Sequence, residues 1–160
     1  MRPPNSTPLP GKDELLAACR GGPARDNLLL AAAGELAELH ETGAGREDET
    51  VVYLNAARQR WMVVIDGWVS SVLPPTAQSA SVHTESMGQV VDRIARLTTY
   101  AYVALADGTD LVFQDVRARL AELADGYATL TAELHAGTRR LPAHRGYPEM
   151  REFGPRHLFR

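Results

Sequence analysis

Cysteine is nearly missing from this chain: Cys19 is the only one in 160 residues. No intrachain disulfide can form, which excludes a disulfide scaffold and a cysteine-based zinc site and fits a reducing compartment. No apolar run approaches the roughly 18 residues that span a bilayer, so no membrane partner is expected. The first ten residues hold four prolines and no apolar stretch, so they do not read as a signal peptide. The expected location is therefore cytoplasmic. Lysine is nearly absent as well, with Lys12 standing against 16 arginines. Also missing are Gly-x-x-x-x-Gly-Lys-Ser/Thr, His-Glu-x-x-His and Cys-x-x-Cys, the patterns of a phosphate loop, a zinc protease and a thiol redox site. No cofactor is expected.

What is present is helical periodicity. The hydrophobic content of 44% is ordinary for a globular chain, and the length suits one domain with a real core. The proline-rich residues 1–11 are expected to be disordered. A short helix over 13–20 stops at Gly21-Gly22-Pro23. Asp26 is a suitable N-cap for a second helix to about residue 42, with Leu28, Leu29, Ala32, Leu36 and Leu39 on its apolar face. Glu47, Asp48 and Glu49 suit the start of a third helix that runs to about 72, where Pro74-Pro75 stops it. A fourth helix spans about 84–106. A fifth spans about 110–135, with Phe113, Val116, Leu120, Leu123, Tyr127, Leu130 and Leu134 at spacings of three and four. No alternating strand pattern competes. The expected fold is all-α: an up-and-down bundle of four long helices over 12–138, preceded by a short N-terminal helix and followed by an irregular basic tail over 139–160.

Charge is unevenly placed. The tail carries six arginines against Glu149 and Glu152, a local +4, which leaves −7 on residues 1–138 of the overall −3. Such a tail suits a solvated, partly ordered segment, or else docking on its own body, on a partner subunit or on a polyanion. Nucleic-acid binding is not expected except through it.

Helical phasing then isolates polar residues on apolar faces. On the third helix Leu54, Trp61, Ile65, Trp68 and Val72 define an apolar arc, and Arg58 lies inside it. A guanidinium there needs a carboxylate or an anionic ligand, with Asp92, Glu85 and Glu35 the internal candidates, or else it snorkels over a tryptophan. His40 sits at the edge of the second helix's apolar face. Glu35 and Glu38 lie one turn apart and are the weak candidates for holding a divalent cation; no metal is otherwise expected. On the fourth helix Glu85, Gln89, Asp92 and Arg96 form a polar stripe with Arg93 beside it, which also suits a solvated face. His83 and Thr84 precede that helix. Thr84 suits an N-cap, and free backbone N–H groups at a helix start suit an anion or a carboxylate. The candidate ligand-binding set is thus His83, Thr84, Glu85, Asp92, Arg93, Arg58 and His40.

Several segments resemble the actinobacterial branch of the uncharacterised DUF4254 family. They are Lys12-Asp13-Glu14-Leu15-Leu16 with Cys19-Arg20; Glu35-Leu36-Ala37-Glu38-Leu39-His40-Glu41; Ile65-Asp66-Gly67-Trp68-Val69 before a proline pair; and His83-Thr84-Glu85-Ser86-Met87-Gly88 with Val91-Asp92-Arg93-Ile94-Ala95. The resemblance implies a helical, cytoplasmic protein and brings no activity or catalytic residue. Besides an acid–base site formed by His83, Glu85, Asp92 and Arg58 with His40, in which the histidine exchanges protons and the arginine holds a carboxylate or phosphate, two functional readings follow from the residues. One is a non-enzymatic binding or interaction protein acting as a homodimer, with a protein or an anionic small molecule as partner. The other is a metal-dependent hydrolase or pyrophosphohydrolase of small phosphorylated metabolites or nucleotides. For that reading Glu35/Glu38 and Glu122/Asp125 match a Glu-x-x-Glu, Glu-x-x-Asp pattern. Against it, Glu122 and Asp125 fall opposite the apolar stripe of their helix.

Overall fold

The computed structural model describes residues 7–143. It is an all-α up-and-down bundle. Four long helices, α2 (Leu28–Gly43), α3 (Thr50–Val72), α4 (Met87–Asp107) and α5 (Asp110–Ala136), follow a short α1 (Lys12–Cys19). The sequence pattern contains no hint of the one sheet element among the described residues, in which β1 (Ser81–Val82) pairs in parallel with β2 (Arg139–Arg140). The pairing ties the α3–α4 loop to the segment after α5. There Arg140 also donates from Nε to the Ala80 carbonyl at 3.2 Å, and Arg139 pairs with Glu133 at 2.9 Å. The basic tail is therefore not irregular from its first residue; the rest of it, 144–160, lies outside the described residues, as do 1–6.

α4 is the hub. It packs against α1, α2, α3 and α5, whereas among the described residues α5 touches neither α2 nor α3. Enclosure on most sides explains why Met87, Val90, Val91, Ile94 and Ala95 are all buried. It leaves one open strip, Gln89, Arg93, Arg96 and Tyr100. The core joins these residues to Leu15 of α1, Leu29 and Leu36 of α2, Ile65 and Val69 of α3, and Tyr127 and Leu134 of α5. Each large side chain taken fully from water contributes about 2 kcal/mol. α3 is an edge helix that, among the described residues, meets only the helices α2 and α4. Its inward line is accordingly Met62, Ile65 and Val69, with Trp61 and Trp68 half-buried on the flanks rather than central.

Three boundaries differ from expectation for local reasons. Arg25 and Asp26 both adopt left-handed backbone (φ 48° and 56°), so the cap of α2 falls on Asn27, whose side chain accepts from Leu30 N at 3.1 Å. Thr84 does not cap α4; Ser86 does, in a capping box with Gln89. Residues 9–11 are ordered, not disordered. Leu9 and Pro10 are buried, and the Tyr127 hydroxyl donates to the Pro10 carbonyl at 2.8 Å.

Gly88 sets how close α3 and α4 come. A Cβ there would lie 2.4 Å from the Met62 carbonyl oxygen and 2.7 Å from its Cα. Both are backbone atoms, which cannot rotate away. Gly88→Ala should therefore force the helices apart and destabilise the fold by about 2–3 kcal/mol in urea denaturation, despite alanine's better helix propensity. A stability gain would show that the crossing is looser than this.

Candidate functional site

The strongest polar centre is built on Asp92, a residue of α4 with only 8% exposure. Arg58 of α3 grips it with two parallel bonds, Nε to Oδ1 at 3.0 Å and Nη2 to Oδ2 at 2.6 Å. His40 of α2 approaches the same Oδ1 through Nε2 at 2.9 Å. Arg58 thus finds its carboxylate among the internal candidates, and it is Asp92, not Glu85 or Glu35. Asn55 completes the arginine's bonding by accepting from Nη1 at 2.9 Å. Burial by itself pushes the Asp92 carboxyl up. The bonds from His40 and Arg58 more than offset this and pull it down to about 2. Bonding to Asp92 in turn raises the Arg58 guanidinium.

The polar stripe of α4 is therefore split by depth. Gln89 and Arg96 are exposed and Glu85 is half-exposed, as a solvated face requires, whereas Asp92 turns inward between α2 and α3. Glu85 pairs with Arg93 at 3.1 Å outside the core. His83 belongs to this outer group. Its Nδ1 lies 2.9 Å from the Glu85 carbonyl and 3.2 Å from the Glu85 amide, and its own amide donates to the Arg140 carbonyl at 2.8 Å. Thr84 is exposed beside it. The seven candidate residues thus form two groups. His40, Arg58 and Asp92 share one centre; His83, Thr84, Glu85 and Arg93 form a loop-and-helix-start cluster.

The start of α4 already holds a carboxylate. Asp66 of α3 accepts from the Gly88 amide at 2.7 Å, placing a negative group at the positive end of the helix. Asp66 was not among the residues singled out from the sequence. Its position one turn after Met62, towards the inward line of α3, was the available signal.

A cavity of about 400 Å³ opens beside the Asp92 centre, between the end of α2, the start of α3 and the later part of α4. Arg46, Arg58, His40, Asn55 and Tyr100 supply its polar wall, in which the guanidiniums are Arg58 and Arg46, the latter also 3.4 Å from Asp48. Asp92 stands behind it. The His40 side chain is 9% exposed. Its Nδ1 has no hydrogen-bond partner among the described residues, yet no unbonded side-chain nitrogen or oxygen there is sealed from solvent. That nitrogen therefore keeps some contact with solvent.

Other polar groups are less organised. Glu35 and Glu38 line a larger groove of about 700 Å³ between the α1–α2 turn and α4, but both are solvent-exposed. Glu122 and Asp125 are exposed on α5, where Asp125 pairs with Lys12, and α5 does not touch α2. Among the described residues, no three His, Cys, Asp or Glu side chains are grouped to hold a metal ion. Burial pushes the Cys19 thiol up to about 12, far from a reactive thiolate. No helix among the described residues is long and apolar enough to cross a membrane. No family model, curated protein or solved structure matches the chain.

Two predictions follow from the Asp92 centre. Arg58→Ala leaves a buried carboxylate short of its main partner and should lower stability by about 3 kcal/mol, with Arg58→Lys intermediate because one ammonium cannot reproduce the fork; equal stability of all three in denaturant titrations would contradict the pairing. The depressed Asp92 carboxyl contributes stability that is complete above the unfolded value near 4 and lost as pH falls towards about 2. Wild type should lose on the order of 2 kcal/mol across that window beyond what Asp92→Asn loses, and parallel pH–stability curves would sink this account.

Proposed function

We propose that this chain is a non-enzymatic binding protein that acts as a homodimer and takes a small organic anion in the cleft beside His40 and Arg58. The observation that carries the ligand reading is the pair of guanidiniums, Arg46 and Arg58, in the wall of that cleft, with a buried carboxylate behind it that holds Arg58 and His40 rigid. Both oxygens of Asp92 are already engaged by Arg58 and His40. The groups left facing the cleft are therefore suited to grip a ligand rather than to supply a nucleophile–base pair. The pyrophosphohydrolase alternative draws no support from the placement of its four acids on helices that do not touch. The resemblance to the actinobacterial branch of the DUF4254 family is part of this proposal, as is a cytoplasmic location.

The homodimer rests on a separate observation. Of the ten large apolar residues left exposed among the described residues, all but Leu28 and Val82 lie where α3 begins, α4 ends and α5 begins. Tyr53, Leu105 and Leu111 there are 75%, 64% and 83% exposed. An apolar concentration of this kind marks an interaction surface.

Both parts are open to measurement. Citrate, malonate or inorganic phosphate at millimolar concentration should raise the melting temperature, since a ligand at a hundred times its Kd adds about 2.7 kcal/mol. Arg46→Ala, which removes an exposed guanidinium, should weaken the effect without unfolding the protein. If no anion of the three shifts the transition, the ligand reading fails. Light scattering should give twice the 17.4 kDa chain mass; a strict monomer at micromolar concentration would overturn the dimer.

A further inference from the structure

The last turns of α4 and the first turns of α5 project as a two-helix arm, with a hollow of about 200 Å³ on one side. On α5 the hollow is lined by Phe113, Arg117 and Leu120. Asp110 continues the same line, because positions 110, 113, 117 and 120 advance by three, four and three and share a helix face. On α4 the facing line is Thr98, Ala101 or Tyr102, and Leu105. Below this level Leu120 and Thr98 are buried; above it Leu105 is 64% exposed. A helix face that is apolar beyond the reach of its own core needs another cover.

The charges say which cover fits. At the tip of the arm stand Asp107 and Asp110, both exposed. At its base, on the rim of the hollow, stand Arg20 and Arg117, also exposed. Ion pairs occupy other charges nearby, as between Arg119 and Asp115, but no ion pair joins the acidic tip to the basic base within one chain among the described residues. Asp110 and Arg117 lie seven residues apart, roughly 10 Å along the helix. A second arm laid antiparallel on the first brings each tip to the other's base. The two-fold axis then passes by Phe113, and both Asp110–Arg117 pairs form at once, since in an isologous contact whatever residue i meets, its copy meets in return.

Building on the homodimer reading, we propose that two copies of this chain dock arm to arm in this antiparallel register, and that the four helices complete one small bundle. Leu105 and Phe113 form its apolar centre, and Asp110 and Arg117 fix its direction. The test uses the full chain, with dissociation constants from sedimentation and folding checked by circular dichroism and melting. Leu105→Glu should abolish the dimer while leaving the monomer's helicity and melting unimpaired, because Leu105 contributes little to its own core. Arg117→Glu sets two acids against each other at both ends of the interface and should weaken the dimer about tenfold; Asp110→Arg added to it should recover most of that loss. A wild-type dimer unaffected by Leu105→Glu and Arg117→Glu would remove the arm as the interface while leaving the dimer reading intact. Weakening without recovery in the double variant would overturn the antiparallel register. A monomeric wild type would end both.

Discussion

A buried carboxylate with two partners from two other helices is the constraint on which the bundle depends. Asp92 taken alone would be expensive to bury, and the core tolerates it only because Arg58 and His40 arrive together. Their bonds bind α3 and α2 to α4 at one level of the bundle. Near the other end the Asp66–Gly88 bond joins α3 to α4 again, and the missing side chain of Gly88 makes that approach possible. Arg58 and Asp66 are eight residues apart, so the two locks sit roughly 12 Å from each other along α3. Apolar packing supplies most of the stability and has little directional preference, whereas these polar bonds form only where their partners meet in this register.

The same bonds make the cleft. Arg58 and His40 face it as a fixed pair because Asp92 holds them from behind, the arrangement by which a second layer of bonds orients the groups that meet a ligand. The cluster at His83 is organised differently. Its bonds are mostly to backbone, and it shapes the turn into α4 and the parallel pairing of β1 with β2. A dense run of polar residues in the sequence thus divides into structural work around His83, Glu85 and Arg93 and, at Asp92, the centre of the candidate site.

Much of this was legible in the residues. Periodicities of three and four located all five helices, because apolar faces must meet a core. An arginine inside an apolar arc called for a carboxylate, an anionic ligand or a snorkelling pose, and Asp92 was among the carboxylates available. What phasing could not give was depth. Asp92 shares a stripe with exposed Gln89 and Arg96, and only the placement of α2 and α3 around α4 decides which side of that stripe is dry. Two-residue strands leave no period to detect, so β1 and β2 were invisible. The cap of α4 was misplaced by two residues because Thr84 and Ser86 are chemically alike and the choice turned on a Gln89 partner for Ser86. Asp66 was overlooked because an acid on a helix flank is usually solvated, and its amide partner belongs to another helix.

The central place of α4 also bears on how the chain is made. During synthesis α1, α2 and α3 emerge first, but α1 and α3 share no contact, and the apolar faces that α2 leaves open are met by a helix that begins at Met87. Until that segment clears the ribosome, the nascent chain holds greasy surface and an arginine with no acid to meet. Such a chain has no complete native core to settle into domain-fashion from its first half, and its apolar surface stays uncovered until α4 is out.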